Sequence, residues 1–362
     1  MTQDRLARLR ARMAETGTDL VAVGPTSNML WLAGLSPHGD ERPVMQLVSA
    51  DRAGFLMPAL NADAVRKGTD LPFWTWTDEV GPQGALASML ADFGLGPGAR
   101  VALDETMRAD FALLLLDAIP GARRAFLGDT IGWLRARKGP EEYAVLKENA
   151  VLNDAAMIAA FDALRPGITE TELAEVIHAH YRAHGARAEF SSVCFGANGA
   201  FPHHHSGETR LTPGMAVLVD IGSRMKGYPS DMTRVGHFGT APEGFADIHA
   251  IVDAAVQAAI AAARPGARAR DVDAAARGVI AAAGFGANFL HRTGHGLGID
   301  IHESPYITAT AETVLEEGMV FSIEPGIYLP GRFGLRLEEV VILRADRAEV
   351  LSDLPRAAIA RG

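Results

Sequence analysis

The sequence predicts an α+β protein of two domains, and three observations support this prediction. The chain of 362 residues is long enough for two or three domains. Short apolar strands alternate with helical segments near the N-terminus, which favours a mixed sheet with helices packed against it. The rest of the chain repeats itself after about one hundred residues, a period too long for a solenoid. We therefore expect an N-terminal α/β domain followed by a C-terminal domain of two related halves.

The N-terminal elements are predicted from apolar runs and from the glycines and prolines between them. Leu6, Leu9 and Met13 recur at helical spacing, and Gly17 is expected to end that helix. Further strands are expected at residues 19–23, 43–49, 54–57 and 101–104. Further helices are expected at residues 85–93 and 109–118, and a short helix or turn at residues 28–34. A basic run that closes with Gly-Pro is the predicted boundary, which divides the chain into domains 1–133 and 134–362.

The internal repeat follows a long predicted helix at residues 141–164, which a Pro-Gly pair should end. Residues 165–190 recur at 264–289, and residues 211–222 recur at 315–326. Each half is therefore expected to contain a helix, a loop and a β-hairpin. Equivalent residues of two halves that are related by a pseudo-twofold axis come together near that axis.

The repeat makes four acidic residues candidates for one site. Asp220 and Glu324 are equivalent in the two halves, and each follows an apolar strand segment. Asp231 aligns with Glu338, although strand periodicity alone leaves Glu339 as an alternative to Glu338. Four carboxylates at one buried place repel one another, and each is costly to remove from water. Bound cations would relieve both costs.

Residues 291–305 form a polar stretch without a helical or strand period. They contain three histidines, two acids and three glycines. We expect a loop whose glycines take positive φ or let the backbone approach a bound group closely. His295 and His302 are the candidates there for binding a metal or a substrate.

His295 and the four acids make an oxygen-rich ligand set with one nitrogen. Such a set suits Mn²⁺, Co²⁺, Fe²⁺ or Zn²⁺ better than a thiolate-seeking ion. Five ligands are enough for two divalent ions bridged by shared carboxylates, and two such ions can share one hydroxide and polarise a carbonyl. A simpler interpretation of Asp231 is an ion pair with Arg234.

Composition excludes several other classes of function. The formal net charge of −10 argues against nucleic acid as a partner, since phosphate binding needs clustered Lys and Arg. We expect no apolar run long enough to span a membrane, and the charged N-terminus does not resemble a signal peptide. The single Cys194 cannot form an internal disulfide and is expected to be a small buried residue. These features favour a cytoplasmic protein.

Five motifs of the C-terminal domain resemble those of the pita-bread metallopeptidases, which include methionine aminopeptidase, aminopeptidase P, prolidase and creatinase. They are Val219-Asp-Ile-Gly, Ser230-Asp-Met-Thr-Arg, Gly294-His-Gly-Leu-Gly-Ile-Asp-Ile-His-Glu, Ser322-Ile-Glu-Pro-Gly and Leu335-Arg-Leu-Glu-Glu. The N-terminal domain resembles the creatinase/prolidase-type N-terminal domain. The resemblance implies a C-terminal pita-bread catalytic domain with a pseudo-twofold repeat.

The resemblance also implies the members of the metal site. The ligands of two divalent ions would be Asp220, Asp231, His295, Glu324 and Glu338. This set selects Glu338 over Glu339, and all five ligand types are intact in the sequence. Glu324 would additionally relay a proton while it remains a ligand.

Residues outside the ligand set are assigned by the same resemblance. His203 and His302 match the substrate-side histidines and would donate hydrogen bonds to the carbonyl and to the tetrahedral intermediate. Arg336 would help to orient the substrate, and Tyr228 lies where relatives carry an aromatic residue. Two further histidines at positions 204 and 205 have no counterpart in the family. An alternative interpretation is that the three histidines at residues 203–205 bind a metal ion by themselves.

The function implied by the resemblance is hydrolysis of the bond between an N-terminal residue and proline, as in an Xaa-Pro dipeptidase. Alternatives are an Xaa-Pro aminopeptidase acting on longer peptides, or a small-molecule hydrolase or lyase on the same scaffold. Intact ligands speak against a creatinase, and Gly222 replaces the acid that the lyases carry two residues after the first Asp. The family further implies short proline-containing peptides as substrates, Mn²⁺ as the preferred ion and a homodimer.

Overall fold

The protein consists of two compact units. A computed structural model describes residues 2–362, and their side chains from Asp4 onward. The chain divides after Arg135, two residues beyond the boundary predicted from the sequence, so that the second unit comprises Ala136–Gly362.

The first unit is an α/β domain built on one mixed sheet. Its helices are α1 (Thr2–Thr16), α2 (Ser27–Ala33), α3 (Ala59–Val65), α4 (Gln83–Asp92), α5 (Ala109–Asp117) and α6 (Ile131–Ala136), the last of which ends at the division. Its strands are β1 (Leu20–Val23), β2 (Met45–Val48), β3 (Ala53–Pro58), β4 (Phe73–Trp76), β5 (Arg100–Leu103) and β6 (Arg123–Phe126).

The order of strands in this sheet is β4-β3-β2-β1-β5-β6. Strand β2 pairs antiparallel with β1 and β3, whereas the other neighbours run parallel. The three central strands β1, β2 and β3 are buried along their whole length, since helices and further strands cover the sheet. The predicted mixed sheet is therefore present, and strands β4 and β6 were not predicted from the sequence.

The second unit contains four long helices and twelve strands among the described residues. The helices are α7 (Pro140–Asp162), α8 (Glu170–Ala183), α9 (Phe245–Ala262) and α10 (Ala269–Ala282). The strands are β7 (Arg187–Phe195), β8 (Met215–Met225), β9 (Tyr228–Pro229), β10 (Met232–Phe238), β11 (Gly294–Gly296), β12 (Glu303–Ile307), β13 (Val320–Ile323), β14 (Gly326–Leu329), β15 (Phe333–Arg336), β16 (Glu339–Leu343), β17 (Ala348–Val350) and β18 (Ile359–Arg361).

Two five-stranded sheets form the centre of this unit. One has the order β18-β10-β8-β7, with β9 paired to β8, and the other has the order β12-β11-β13-β16-β17. Helices α7 and α8 pack on the first sheet, and α9 and α10 pack against strands of the second. Burial of one helix face against each sheet is the main source of stability in such a layered fold.

The two halves repeat each other down to single backbone hydrogen bonds. The N–H of Gly167 donates to the carbonyl of Leu211 at 2.8 Å, and the N–H of Gly266 donates to the carbonyl of Leu315 at 2.8 Å. Each half contains two helices rather than the single one expected, because the helix that precedes the repeated segment is duplicated as α7 and α9.

The expectation that no segment is apolar and long enough to span a membrane is wrong for α9. This helix of 18 residues reaches a mean hydropathy of 1.4, which passes that test by length and composition. Its inward face, including Phe245, Val252 and Val256, is nevertheless buried in the same core as strands β13 and β16. Helix α9 therefore packs as the core helix of a globular domain.

Candidate metal centre

The four acids and the histidine selected from the sequence lie on or beside the central strands of the two sheets. Asp220 lies on β8 and His295 on β11, Asp231 immediately precedes β10, Glu324 follows β13, and Glu338 precedes β16. The duplicated topology thus supplies, in each half, one acid within or just after a strand and a second acid immediately before a later strand.

Three of these side chains form a tight cluster. The ligand atoms of Asp231, His295 and Glu338 all lie within 4.8 Å of one another. His295 Nε2 is also 3.6 Å from Asp231 Oδ2 and 3.3 Å from Glu324 Oε1. The side chain of Asp231 is 6% exposed, that of His295 is 4% exposed and Glu338 is 2% exposed as a residue, so this cluster is removed from bulk water.

Asp220 joins the cluster through Thr233 and Arg336. The Thr233 hydroxyl lies 2.9 Å from Asp220 Oδ1 and 2.9 Å from Glu338 Oε2. Arg336 donates from Nη2 to Asp220 Oδ2 at 2.5 Å, from Nε to Thr233 Oγ1 at 3.0 Å, and from Nη1 to the Tyr328 hydroxyl at 2.8 Å. The buried guanidinium of Arg336 and the hydroxyl of Thr233 therefore hold Asp220 of the first half next to Glu338 of the second half.

Burial and neighbouring charges shift the pKa values of these carboxyl groups in different directions. Burial, followed by the charges of neighbouring acids, raises the pKa of Asp231 and of Glu338 well above the ordinary value. Burial also acts to raise the pKa of Glu324, but its hydrogen bond and charge interaction with His295, together with the charges of His291 and Arg336, outweigh that effect and lower the pKa to about 2. Such opposed shifts among adjacent carboxylates are typical of functional sites.

The donor set fits divalent metal ions. Glu338 Oε1 is buried and has no hydrogen-bond partner among the described residues, whereas a buried polar atom normally has at least one such partner. His295 Nδ1 lies 3.2 Å from the carbonyl of Gly296. An N–H at Nδ1 can donate to that carbonyl, and Nε2 is directed at the acids, the arrangement of a metal-ligating histidine once a bound ion has replaced the Nε2 proton.

The position of Arg234 decides between Glu338 and Glu339, and it also decides whether Asp231 pairs with Arg234. This fully buried arginine donates from Nη2 to Glu339 Oε1 at 3.0 Å and from Nη1 to the carbonyl of Glu338 at 2.6 Å. Glu339 also accepts from Arg356 at 3.1 Å, so its side chain faces away from the cluster. Asp231 forms no ion pair with Arg234 within the described part of the chain, which contradicts the simpler interpretation of Asp231.

A cavity of about 340 Å³ opens onto the cluster. His203 and His302 line it together with the four acids and the histidine described above. The ring of His302 stands edge-on to that of His295, with centroids 4.1 Å apart. Burial and the neighbouring charges of His295 and Arg292 lower the pKa of His302 to about 4, so this imidazole is neutral near pH 7.

The two remaining predicted residues are placed differently. Arg336 lines the cavity, but all three of its nitrogens are engaged by the protein as described above. Tyr228 is not among the residues that line this cavity within the described chain. Its hydroxyl donates to Glu142 at 2.9 Å, and its ring packs beside Leu146 in a neighbouring apolar cluster.

Several cavity residues were not singled out from the sequence. They are Phe190, His291, Arg292 and Ile301. Thr233 and Tyr328, which support Arg336, were also missed. The sequence signal for these residues was their place beside predicted site residues. His291 and Arg292 lie in the polar stretch of residues 291–305, and Thr233 lies in the motif that begins at Ser230.

The glycines of that polar stretch do not take the positive φ that was one expectation for them. Gly294, Gly296 and Gly298 are not among the positive-φ residues, and the first two belong to strand β11. A Cβ on Gly294 would lie 1.9 Å from the carbonyl oxygen of Ser322, and one on Gly298 would lie 2.2 Å from Glu303 Oε1. These glycines permit the close approach of other protein groups.

The histidine tract at residues 203–205 does not converge on one point. His203 lines the cavity, whereas His204 Nε2 is 2.8 Å from Glu170 Oε2, a fully buried carboxylate. Glu170 also accepts from the backbone N–H groups of Phe195 and Gly207, so this bond ties the loop to helix α8.

The neighbours of position 222 leave room only for glycine. A Cβ at this position would lie 2.4 Å from Phe190 Cε1 and 2.4 Å from the carbonyl oxygen of Ser230. No side chain fits there without movement of the cavity wall. The chain therefore has no room for the acid that a lyase on this scaffold would carry at that position.

Comparison with known proteins agrees with this geometry. The model of metallopeptidase family M24 matches residues 144–345, and that of the creatinase/prolidase N-terminal domain matches residues 5–137. The chain is 35% identical to the probable dipeptidase PepE of Mycobacterium tuberculosis, over 98% of this chain and 95% of that protein. It is 30% identical to an Xaa-Pro dipeptidase of Pyrococcus furiosus, over 98% and 99% of the two chains.

A solved structure extends the likeness to the whole fold. Dipeptidase PepE from Mycobacterium ulcerans superposes with a TM-score of 0.94 at 32% identity, covering 99% of this chain and 97% of that one. The predicted fold class, a creatinase-type N-terminal domain followed by a pita-bread domain, is confirmed. The chain therefore belongs to metallopeptidase family M24 and carries a creatinase/prolidase N-terminal domain.

Proposed function

We propose that the protein is a metal-dependent Xaa-Pro dipeptidase, which hydrolyses the bond between an N-terminal residue and a C-terminal proline. The observation that carries the proposal is the cluster of Asp231, His295 and Glu338 with its unpartnered buried oxygen, at the floor of a cavity. Relatives that are aligned over nearly their whole length are named dipeptidase or Xaa-Pro dipeptidase, which supports the substrate class.

The ions would be held by the five clustered side chains of Asp220, Asp231, His295, Glu324 and Glu338. When bound, a pair of divalent ions polarises a carbonyl and lowers the pKa of water. We propose Mn²⁺ as the preferred ion, because four carboxylates and one imidazole form a predominantly hard, oxygen-rich set.

The protein side chains contribute orientation and hydrogen bonding. His302 is neutral near pH 7 and can donate an N–H to an oxyanion that develops at the scissile carbonyl. His203 lies in the same cavity and can donate to the substrate carbonyl. Glu324 can hold the proton in transit to the departing proline nitrogen. Arg336 keeps Asp220 in place and does not need to contact the substrate.

The cavity suits a small substrate. Its volume of about 340 Å³ lies at the lower end of the usual range for small-molecule sites, roughly 300–1,000 Å³. A dipeptide matches this volume better than an extended peptide does. A homodimer in the cytoplasm stays a prediction from the family resemblance and the single cysteine, and light scattering of the purified protein tests the oligomeric state.

Metal-dependent cleavage of defined peptides tests the proposal. The metal-stripped protein is incubated with Ala-Pro, Ala-Pro-Ala and Ala-Ala, with and without Mn²⁺, and amino-acid release is followed. We expect Mn²⁺-dependent release from Ala-Pro above all. The variants Asp231→Asn and Glu338→Gln should lose bound metal and activity together, whereas the exposed Glu317→Gln serves as the matched control. Native metal content in both cluster variants would contradict the ligand assignment.

A further inference from the structure

The loop at residues 196–206 carries His203 to the cavity, but the imidazole itself is not tied to the protein. His203 lines the cavity and is exposed, and its side chain forms no hydrogen bond within the described part of the chain. A histidine that donates to one carbonyl oxygen needs a defined position, because an error of about 1 Å can cost about 100-fold in rate. Other contacts of this loop must therefore fix the position of His203.

Glu170, the first residue of helix α8, supplies such contacts. Its side chain is fully buried, and each carboxylate oxygen accepts two hydrogen bonds. Oε1 accepts from the N–H of Phe195 at 2.7 Å and from Asn198 Nδ2 at 2.8 Å. Oε2 accepts from the N–H of Gly207 at 2.9 Å and from His204 Nε2 at 2.8 Å. The four donors lie just before, within and just after the loop, so one carboxylate constrains the loop along its length.

His204 is the donor that lies next to His203 in the chain. A carboxylate only accepts hydrogen bonds, so His204 Nε2 carries the hydrogen of its bond to Glu170. The carbonyl of His204 accepts from Ser192 Oγ at 2.7 Å, and its N–H donates to the carbonyl of Phe201 at 3.1 Å. The side chain and both backbone groups of the residue after His203 are thus held by hydrogen bonds, which limits the positions that His203 can take.

The other half of the domain holds its cavity histidine in a similar way. His302 is followed by Glu303, whose carboxylate lies 2.7 Å from the buried ammonium of Lys138. In both halves the residue directly after the cavity histidine reaches a buried charged group near the start of a helix, which is Lys138 before α7 and Glu170 in α8. A buried charge is costly without its partner, so each contact selects one conformation of the chain beside the histidine.

We propose that Glu170 and His204 act as positioning residues for His203, an inference that rests on the proposed function. Their hydrogen bond holds His203 where its imidazole can donate to the scissile carbonyl oxygen. A donor that is already in place needs no reorganisation when negative charge develops on that oxygen. Neither Glu170 nor His204 is among the described residues that line the cavity, so both act through His203 rather than on the substrate.

A double-variant cycle tests the proposal at His204. Replacement of Glu170 would leave several N–H groups without an acceptor, whereas His204→Leu removes one donor of four. We expect His204→Leu to lower kcat/KM of the Mn²⁺-loaded protein on Ala-Pro by about 10- to 100-fold. In a His203→Ala background the same change should lower kcat/KM by less than about twofold, because the group that it positions is already absent. A purely structural role would lower kcat/KM by the same factor in both backgrounds.

Two further variants are matched controls. His204→Gln places an amide N–H near the position of Nε2 and should restore most of the native kcat/KM. His205→Leu changes the next histidine of the tract, which is exposed and has no side-chain hydrogen bond within the described chain, and it should behave as the native protein. Bound metal per chain should stay native in every variant. Amide hydrogen exchange of the metal-free protein should be faster at residues 196–206 in His204→Leu but not in the two controls.

Defined results would overturn the proposal. Native kcat/KM in His204→Leu, or an equal loss in both backgrounds, would show that His204 does not act through His203. Unchanged hydrogen exchange of the loop in His204→Leu would show that the bond to Glu170 does not hold it. An equal loss in His205→Leu would remove the specific role of His204. Failure of the metal-loaded native protein to cleave Ala-Pro would overturn the proposed function, and the inference with it, whereas the exchange measurement reports on the loop independently.

Discussion

A buried ion pair links the chain just before helix α7 to the segment that carries His302. Lys138 Nζ lies 2.7 Å from Glu303 Oε1, and the two side chains are 1% and 8% exposed. Glu303 also accepts from the backbone N–H of Asp300 at 3.3 Å and immediately follows His302. Its carboxylate occupies the space beside Gly298, where no Cβ would fit. We predict that this pair sets both the stability of the second unit and the position of His302.

The expected magnitude follows from the burial of both charges. Replacing Glu303 by Gln keeps the shape of the side chain but leaves the Lys138 ammonium buried without a counter-charge, which costs about 3–5 kcal/mol. For a unit of this size, each 1 kcal/mol lowers the melting temperature by about 2–4 °C. The loss should therefore be roughly 6–20 °C. Lys138→Met should also destabilise the protein, because it leaves the Glu303 carboxylate without its ammonium partner.

The double variant distinguishes a true pair from two independent contacts. Lys138→Met combined with Glu303→Gln removes both charges, so it should cost less than the sum of the single changes by at least about 1.5 kcal/mol. Calorimetry of the metal-stripped protein measures this coupling without a contribution from bound ions. Additivity within about 0.5 kcal/mol would refute the reasoning, as would a Glu303→Gln protein with the native melting temperature and native kcat.

Further predictions concern the metal centre and its supports. Because Asp231 and Glu338 have raised pKa values, the folded metal-free protein retains protons that the unfolded chain releases, so these groups make it less stable as pH rises above about 4. Denaturant unfolding of the metal-free protein between pH 5 and 8 should show this decline in stability, and added Mn²⁺ should reverse it. Calorimetry in buffers of different ionisation enthalpy should detect the release of protons when Mn²⁺ binds. A stability that does not change with pH, without proton release, would contradict the raised pKa values. Thr233→Val should weaken metal binding about 10- to 100-fold, as loss of a group that orients ligands does, and an unchanged metal titration would oppose this role. Gly222→Ala should destabilise the protein by about 1–3 kcal/mol because the new methyl group meets the Phe190 ring, which thermal unfolding measures; a native melting temperature would show that the wall yields.

Much of the architecture was accessible from local patterns. Apolar runs and breakers located most strands and helices of the first unit, because burial against a sheet requires apolar side chains at regular intervals. Strands β4 and β6 were not predicted, since their burial is incomplete and the apolar signal is correspondingly weak. In the second unit, the duplicated motifs alone placed Asp220 and Glu324 at equivalent positions of the two halves.

The orientation of single side chains was not accessible in this way. Strand periodicity could not decide between Glu338 and Glu339, because it shows that adjacent residues face opposite sides of a sheet but not which of the two faces inward. The decision depends on Arg234, which reaches Glu339 from more than one hundred positions away in the chain. The positive φ predicted for the glycines of β11 was likewise wrong, and the crowding that requires glycine at position 294 comes from Ser322, which is distant in sequence.

The sequence by itself determined the family, the duplicated halves and the set of residue types that can bind metal, since these are written as ordered motifs along the chain. Only the tertiary structure decided which charges are already neutralised and which remain available. Arg336 and Arg292 are both arginines within or beside motifs that line the cavity, and nothing local distinguishes them. Arg336 forms an ion pair with Asp220, whereas the guanidinium of Arg292 lies over the ring of Tyr306, because such contacts depend on distances across the folded protein rather than on neighbours in sequence.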